Sequence, residues 1–166
     1  MDENGNDVKP GEVGEIILRS EGNMKGYYND PVKTQETLKD GWIYTGDLAR
    51  QDEDGYFWVV DRKKAVIISG GVNVYPKEIE DLLIEHPKIA DVAVIGVPHP
   101  DWGETVKAFV VLKEDMVDVE QECKAFLQGK LADYKIPKLY EVVVALPRNA
   151  TGKILKNQLR QQVQQQ

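Results

Sequence analysis

Lys153 closes the segment Pro147-Arg148-Asn149-Ala150-Thr151-Gly152-Lys153, in which proline, asparagine and glycine favour an irregular, mobile loop ahead of a final helix. A compact ammonium carried on such a loop can meet an anion whose charge grows during phosphoryl chemistry. It can equally be a solvated lysine at a helix start. Asp47 follows Tyr44-Thr45-Gly46. A carboxylate held in a tight glycine-containing turn can accept hydrogen bonds from two adjacent hydroxyls, and it can also simply cap the turn. Arg62, in Asp61-Arg62-Lys63-Lys64, could meet a phosphate or form a surface ion pair. Gly70 and Gly71 lack a Cβ, which suits either a hairpin turn or the close approach of a ligand to the backbone. Trp102 and Tyr134 offer aromatic faces on loops and Lys138 a nearby cation; packing is the alternative role for both rings.

Charge bounds what these groups can serve. The chain of 166 residues carries a formal charge of −7, which disfavours binding to a nucleic-acid backbone. Residues 135–160 run against that balance, with Lys135, Lys138, Arg148, Lys153, Lys156 and Arg160 opposed by the single acid Glu141. A local charge of +5 suits a polyanionic small ligand or a solvated basic face. No group of Cys and His has metal-ligand spacing, so no metal ligands are expected. The single Cys123 cannot form an internal disulfide. It lies in the series Val119, Cys123, Phe126, Leu127, one face of an amphipathic helix, and reads as core filler. The acidic start, Met1-Asp2-Glu3-Asn4, is not a secretory signal and no apolar run could cross a bilayer, so the expected location is cytoplasmic.

The elements that must position these groups fall into two parts. Residues 14–19, 42–44, 47–50 and 56–61 alternate apolar and polar as short strands, with a short helix opened by Asp30-Pro31. This part lacks closure of its own and is expected to be the end of a larger domain whose remainder lies upstream of Met1. From Lys64 the pattern changes. A helix starts at Pro76, apolar runs at 91–97, 105–112 and 140–145 read as strands, the Val119 helix lies between the last two, and another helix follows Gly152. The expected class is α+β: a small three-stranded sheet with packed helices, its second and third strands parallel across a helical crossover. The glutamine-rich tail from Gln161 is expected to fray.

Three segments, GWIYTGDLAR (41–50), GYFWVVDRKKAVIISGGVNVYPKEIE (55–80) and PRNATGK (147–153), together resemble the adenylate-forming superfamily of acyl-CoA synthetases, peptide-synthetase adenylation domains and luciferases. The resemblance covers nearly the whole chain. It implies residues 1–62 as the β-rich end of a large N-terminal domain, a hinge at 63–65 centred on Lys64, and a mobile C-terminal domain at 66–166. It further implies Asp47 and Arg62 as nucleotide-binding residues, Lys153 as the adenylation lysine, Gly70 and Gly71 as lining a pantetheine tunnel, and Trp102, Tyr134 and Lys138 as holding the coenzyme A nucleotide. Ala65 stands where many relatives carry an aspartate, so polar contacts at the hinge do not carry over. Lys156 looks incidental.

The implied reaction uses ATP, Mg²⁺ and coenzyme A to activate a carboxylic acid, with overall likeness pointing to fatty acids of medium or long chain. An adenylation module that loads a carrier protein is the rival. Luciferase-type oxygenation is disfavoured because Ile68 stands where that chemistry uses a lysine. For the chain by itself, a non-catalytic nucleotide-binding module is the third reading, since the residues expected to grip the triphosphate and enclose the acyl group precede Met1.

Overall fold

Alternation in the first third of the chain produces strands, and one of them organises the rest. A computed structural model describes residues 1–164, which divide into two compact units, Met1–Lys64 and a second from Ala65 onward. In the first unit, β1 (Val13–Leu18), β2 (Leu38–Lys39) and β4 (Phe57–Arg62) each pair antiparallel with the long β3 (Trp42–Gln51). Helix α1 (Pro31–Thr37) opens with proline in its first turn and Asp30 as its cap, whose carboxylate accepts the Lys33 N–H at 2.9 Å. The acidic turn after β3 is closed by Asp52, which accepts the N–H groups of Asp54 and Tyr56. Among the described residues of this unit, Ala49 is the one buried apolar side chain, while Tyr56, Phe57, Trp58 and Val59 are each more than half exposed.

Asp47 was expected in a turn between two strands; it sits instead inside β3. Glu15 faces Leu48 but Ile17 faces Tyr44, so Thr45, Gly46 and Asp47 bulge out of the ladder. Gly46 takes φ +73°, the left-handed conformation that lets a strand carry such a bulge and continue.

In the second unit the long strands β7 (Ile89–His99) and β8 (Gly103–Leu112) pair antiparallel, and α3 (Val119–Leu127) crosses over to β9 (Leu139–Val142), which lies parallel to β8. These are the three strands read from sequence. The sheet itself is five-stranded, because a hairpin of three-residue strands, β5 (Ile67–Ser69) and β6 (Val72–Val74), joins the edge of β8 through Ser69 and Gly103. Strands so short leave little periodicity to read. What makes the hairpin is its turn: Gly70 at φ +57° and Gly71 at +79° are both left-handed, as a two-residue type I′ connection requires.

Both faces of this sheet are covered, which is why β7 is almost continuously apolar. On one face α2 (Pro76–Leu83) and α3 bring Ile79, Leu83, Cys123 and Leu127 against Val92, Val94, Val106, Ala108 and Val110. On the other, Leu159 of α4 (Lys156–Gln164) and Leu146 cover Ala93, Ile95, Val97 and Phe109. Cys123 is fully buried, and burial, with Glu122 nearby, pushes its thiol up to about 11, so it is a packing group without thiolate reactivity. The tail does not fray where expected: Val163 packs beside Ile154 against the cluster around Leu159, and the helix runs through Gln164, with Gln165 and Gln166 outside the described residues.

His86, just after α2, is buried edge-on against Phe126 at 4.8 Å, and its Nδ1 accepts the Lys88 N–H at 3.3 Å. Glu122, Lys88 and Lys130 face it. Burial lowers its pKa below the ordinary 6.5, Lys88 and Lys130 add to that, and Glu122 opposes it. The unfolded chain therefore binds the proton more readily, so the stabilisation is complete above pH 6.5 and declines as pH falls through the folded value. Urea midpoints measured from about pH 7 down to about pH 5 are expected to fall, with a shallower fall in His86→Gln. Identical slopes for the two proteins would remove His86 as a cause.

Candidate functional site

In the first unit, the β-bulge is fixed from below by Glu15. Its carboxylate accepts the Gly46 N–H at 2.9 Å and pairs with Lys63 at 3.0 Å, while Thr45 Oγ1 donates to the Ile16 carbonyl and accepts the Asp47 N–H. Asp47 and Arg62 are direct partners in the β3–β4 ladder, and their side chains form an ion pair at 2.5 Å. The guanidinium is 58% exposed and the carboxylate 32%, so both can exchange this contact for a ligand at small cost. Arg62, Lys63 and Lys64 line a polar groove of about 680 Å³ together with Tyr44, Thr45 and Gly46. Lys64 lies in a single 3₁₀ turn, Lys63–Ala65.

In the second unit a groove of about 340 Å³ gathers Gly70, Trp102, Tyr134 and Lys138, drawn from three separate stretches of the sequence. Ser69, Val72, Thr105, Val106 and Asp133 complete its wall. Trp102 is 46% exposed and stacks on His99 at 4.8 Å, 16° from parallel. Tyr134, 51% exposed, rides on a 3₁₀ turn (Asp133–Lys135) that Lys135 anchors to Glu78 of α2 at 2.8 Å. Lys138 projects its ammonium to within 3.4 Å of the Asp133 carbonyl, so half of its hydrogen-bonding capacity or more is open to a ligand. Gly71 is the other residue of the β5–β6 turn. A Cβ built at Gly70 or Gly71 meets nothing within 4 Å, so any cost of substituting either glycine lies in its positive φ rather than in a clash within this chain.

The Lys153 segment is not an irregular loop. Asn149 and Lys153 exchange backbone and side-chain bonds, Gly152 N–H donates to the Asn149 carbonyl, and Asn149 Oδ1 accepts from Thr151 and Lys153, closing a three-residue hairpin with Gly152 at φ +82°. Arg148 braces it, donating to the Gly152 carbonyl and pairing with Asp91 at 2.5 Å. Lys156 has a structural part: its ammonium lies 2.6 Å from Glu80, whose carboxylate also accepts the Val94 N–H, tying α4 to α2 and β7. Sequence gave no sign of this tie.

These pairings dissect the basic stretch. Lys135, Arg148 and Lys156 are matched by Glu78, Asp91 and Glu80, and Glu141 is matched by Lys107. Within this stretch, Lys138, Lys153 and Arg160 have no carboxylate partner among the described residues. Two of these three are the cations singled out for ligand binding. Among the described residues, no three His, Cys, Asp or Glu side chains converge to hold a metal, and no helix is long and apolar enough to cross a membrane.

Residues 78–153, from within α2 to the hairpin lysine, match the family model of the AMP-binding enzyme C-terminal domain. The matched stretch takes in Trp102, Tyr134 and Lys138 and ends on Lys153. A long-chain-fatty-acid–CoA ligase of Bacillus subtilis is 49% identical over 158 residues, 95% of this chain and 28% of that protein. A feruloyl-CoA synthase of Amycolatopsis is 49% identical over 94% of this chain and 32% of its own length. The solved o-succinylbenzoate CoA synthetase of Bacillus subtilis, in complex with its acyl-adenylate, superposes with a TM-score of 0.89 at 38% identity, covering 96% of this chain and 32% of that one. The chain thus spans about three tenths of the length of the relatives it matches.

Proposed function

We propose that this chain is the C-terminal part of an AMP-forming acyl-CoA synthetase, in which a carboxylate attacks the α-phosphate of ATP to form acyl-AMP with release of pyrophosphate, and the thiol of coenzyme A then takes the acyl group with release of AMP. The observation that carries the reading is the groove of the second unit, where an aromatic face, a second ring and an unpaired ammonium converge beside a double-glycine turn. Trp102 and Tyr134 suit an adenine ring, Lys138 suits the nucleotide phosphates, and the turn leaves room for a narrow arm. In the first unit, Asp47 would exchange Arg62 for the ribose hydroxyls, freeing the guanidinium for phosphate. Lys153 would neutralise charge growing on the α-phosphate while the acid attacks. Mg²⁺ would accompany the triphosphate and offset its charge.

The hinge belongs to the same reading: torsional change at Lys64, within residues 63–65, would let a mobile domain at 66–166 serve first the adenylation and then the thioester step. For the acid, overall likeness suggests a fatty acid; relatives named for long-chain fatty and feruloyl substrates are each 49% identical, so identity does not distinguish these two.

Titration of the chain with coenzyme A, followed by tryptophan fluorescence, separates this from carrier-protein loading. Saturable quenching is expected, absent in Trp102→Phe and weakened about tenfold in Lys138→Ala, the scale of one lost charge-assisted contact. No response to coenzyme A beside a response to a phosphopantetheinylated carrier would favour the loading module.

A further inference from the structure

The β5–β6 hairpin is held on its sheet by very little backbone. It shares one register pair with β8, Ser69 with Gly103, and one further bond, from the Gly70 N–H to the Trp102 carbonyl at 3.0 Å. Beyond that point the ladder stops. Ile68 N–H, which faces β8, would be without a strand partner, and the Glu104 side chain supplies one: its Oε2 accepts that N–H at 3.0 Å. A carboxylate thus stands in for a missing rung.

The second observation lies on β7. Gly96 has an ordinary strand conformation, so no backbone angle demands glycine there. Space does. A Cβ at Gly96 would lie 2.7 Å from Glu104 Oε1, 2.9 Å from its Cδ and 3.1 Å from Ile67 Cγ2. The absent side chain makes the cradle in which the carboxylate lies on its way to Ile68.

We propose that Glu104, seated over Gly96, is a positioning residue that holds the Gly70–Gly71 turn at the wall of the groove and thereby sets its affinity for coenzyme A. The inference rests on the coenzyme A reading of that groove. Glu104 touches no ligand in this account; it acts through Ile68, Ser69 and Gly70, and its neighbour Trp102 is bound to the same turn by the Gly70 N–H.

The test uses the 166-residue chain with two readouts, hydrogen exchange of the Ile68 amide and coenzyme A affinity by fluorescence. In Glu104→Ala the Ile68 amide is expected to exchange about tenfold faster or more, and coenzyme A to bind about tenfold more weakly, as for loss of a charge-assisted hydrogen bond. Glu104→Gln keeps an acceptor oxygen and is expected to restore both. Gly96→Ala, which displaces the carboxylate without removing it, is expected to reproduce the alanine phenotype and serves if Glu104→Ala does not fold. Unchanged Ile68 exchange in the variants overturns the clamp. Faster exchange with unchanged coenzyme A affinity overturns the positioning role. If the unsubstituted chain binds no coenzyme A at all, the reading of the groove fails instead, and the positioning role falls with it even where the exchange data support the clamp.

Discussion

Lys153→Ala, made in an enzyme that carries this chain, is expected to slow acyl-adenylate formation by about 10²–10³-fold, the scale of removing one preorganised charge-stabilising donor. Thioester formation from preformed acyl-adenylate is expected to stay within a few fold of the unsubstituted rate. Three features support so sharp a split. The ammonium is exposed and has no carboxylate partner among the described residues of its unit, so nothing in that unit competes for its charge. Its backbone is pinned at both ends by the hairpin bonds to Asn149 and by Arg148, so removing the side chain leaves the loop intact. Lys156, three residues on, is committed to Glu80 and cannot substitute. Single-turnover assays of the two half-reactions read the result directly, and equal loss in both would end the assignment of Lys153 to the first.

Phe109→Ala is expected to destabilise the second unit by about 3–5 kcal/mol, a large part of what a domain of this size has. Phe109 is 1% exposed and packs with Ala93, Ile95, Leu146 and Leu159, the contacts that fasten α4 to the sheet. Lys107 stands 5.0 Å from the ring centroid while paired with Glu141, so loss of the ring also removes a packing surface from the stem of a largely buried lysine. Val144→Ala, at a side chain 99% exposed, should change stability by less than about 0.5 kcal/mol. Urea denaturation of both variants checks the contrast. A cost for Phe109→Ala no larger than that of Val144→Ala would mean that α4 is not held by this cluster.

Much of the site was legible because its markers are local. Gly70-Gly71 announces a tight turn, Asn149 and Gly152 a break in the chain ahead of the last helix though not the hairpin that forms it, and the apolar face containing Cys123 and Leu127 a buried helix. The misreadings share one cause. Thr45-Gly46-Asp47 reads as a turn because a bulge uses the same residues, and only the pairing of β1 with both sides of it shows that the strand continues. The hairpin strands Ile67–Ser69 and Val72–Val74 are too short for periodicity to register.

By itself the sequence determined the order of helices and strands, the apolar faces, and the three motifs that resemble those of adenylate-forming enzymes, since each depends on residues within a few positions of one another. Only the tertiary structure decided which charges remain for a ligand. Lys135 meets Glu78 and Arg148 meets Asp91, each across 57 positions of sequence, and such partners follow from strand register and helix docking, which no local pattern encodes. The same docking leaves Lys138 and Lys153 unmatched within their unit, and it brings Trp102 and Tyr134 to one groove.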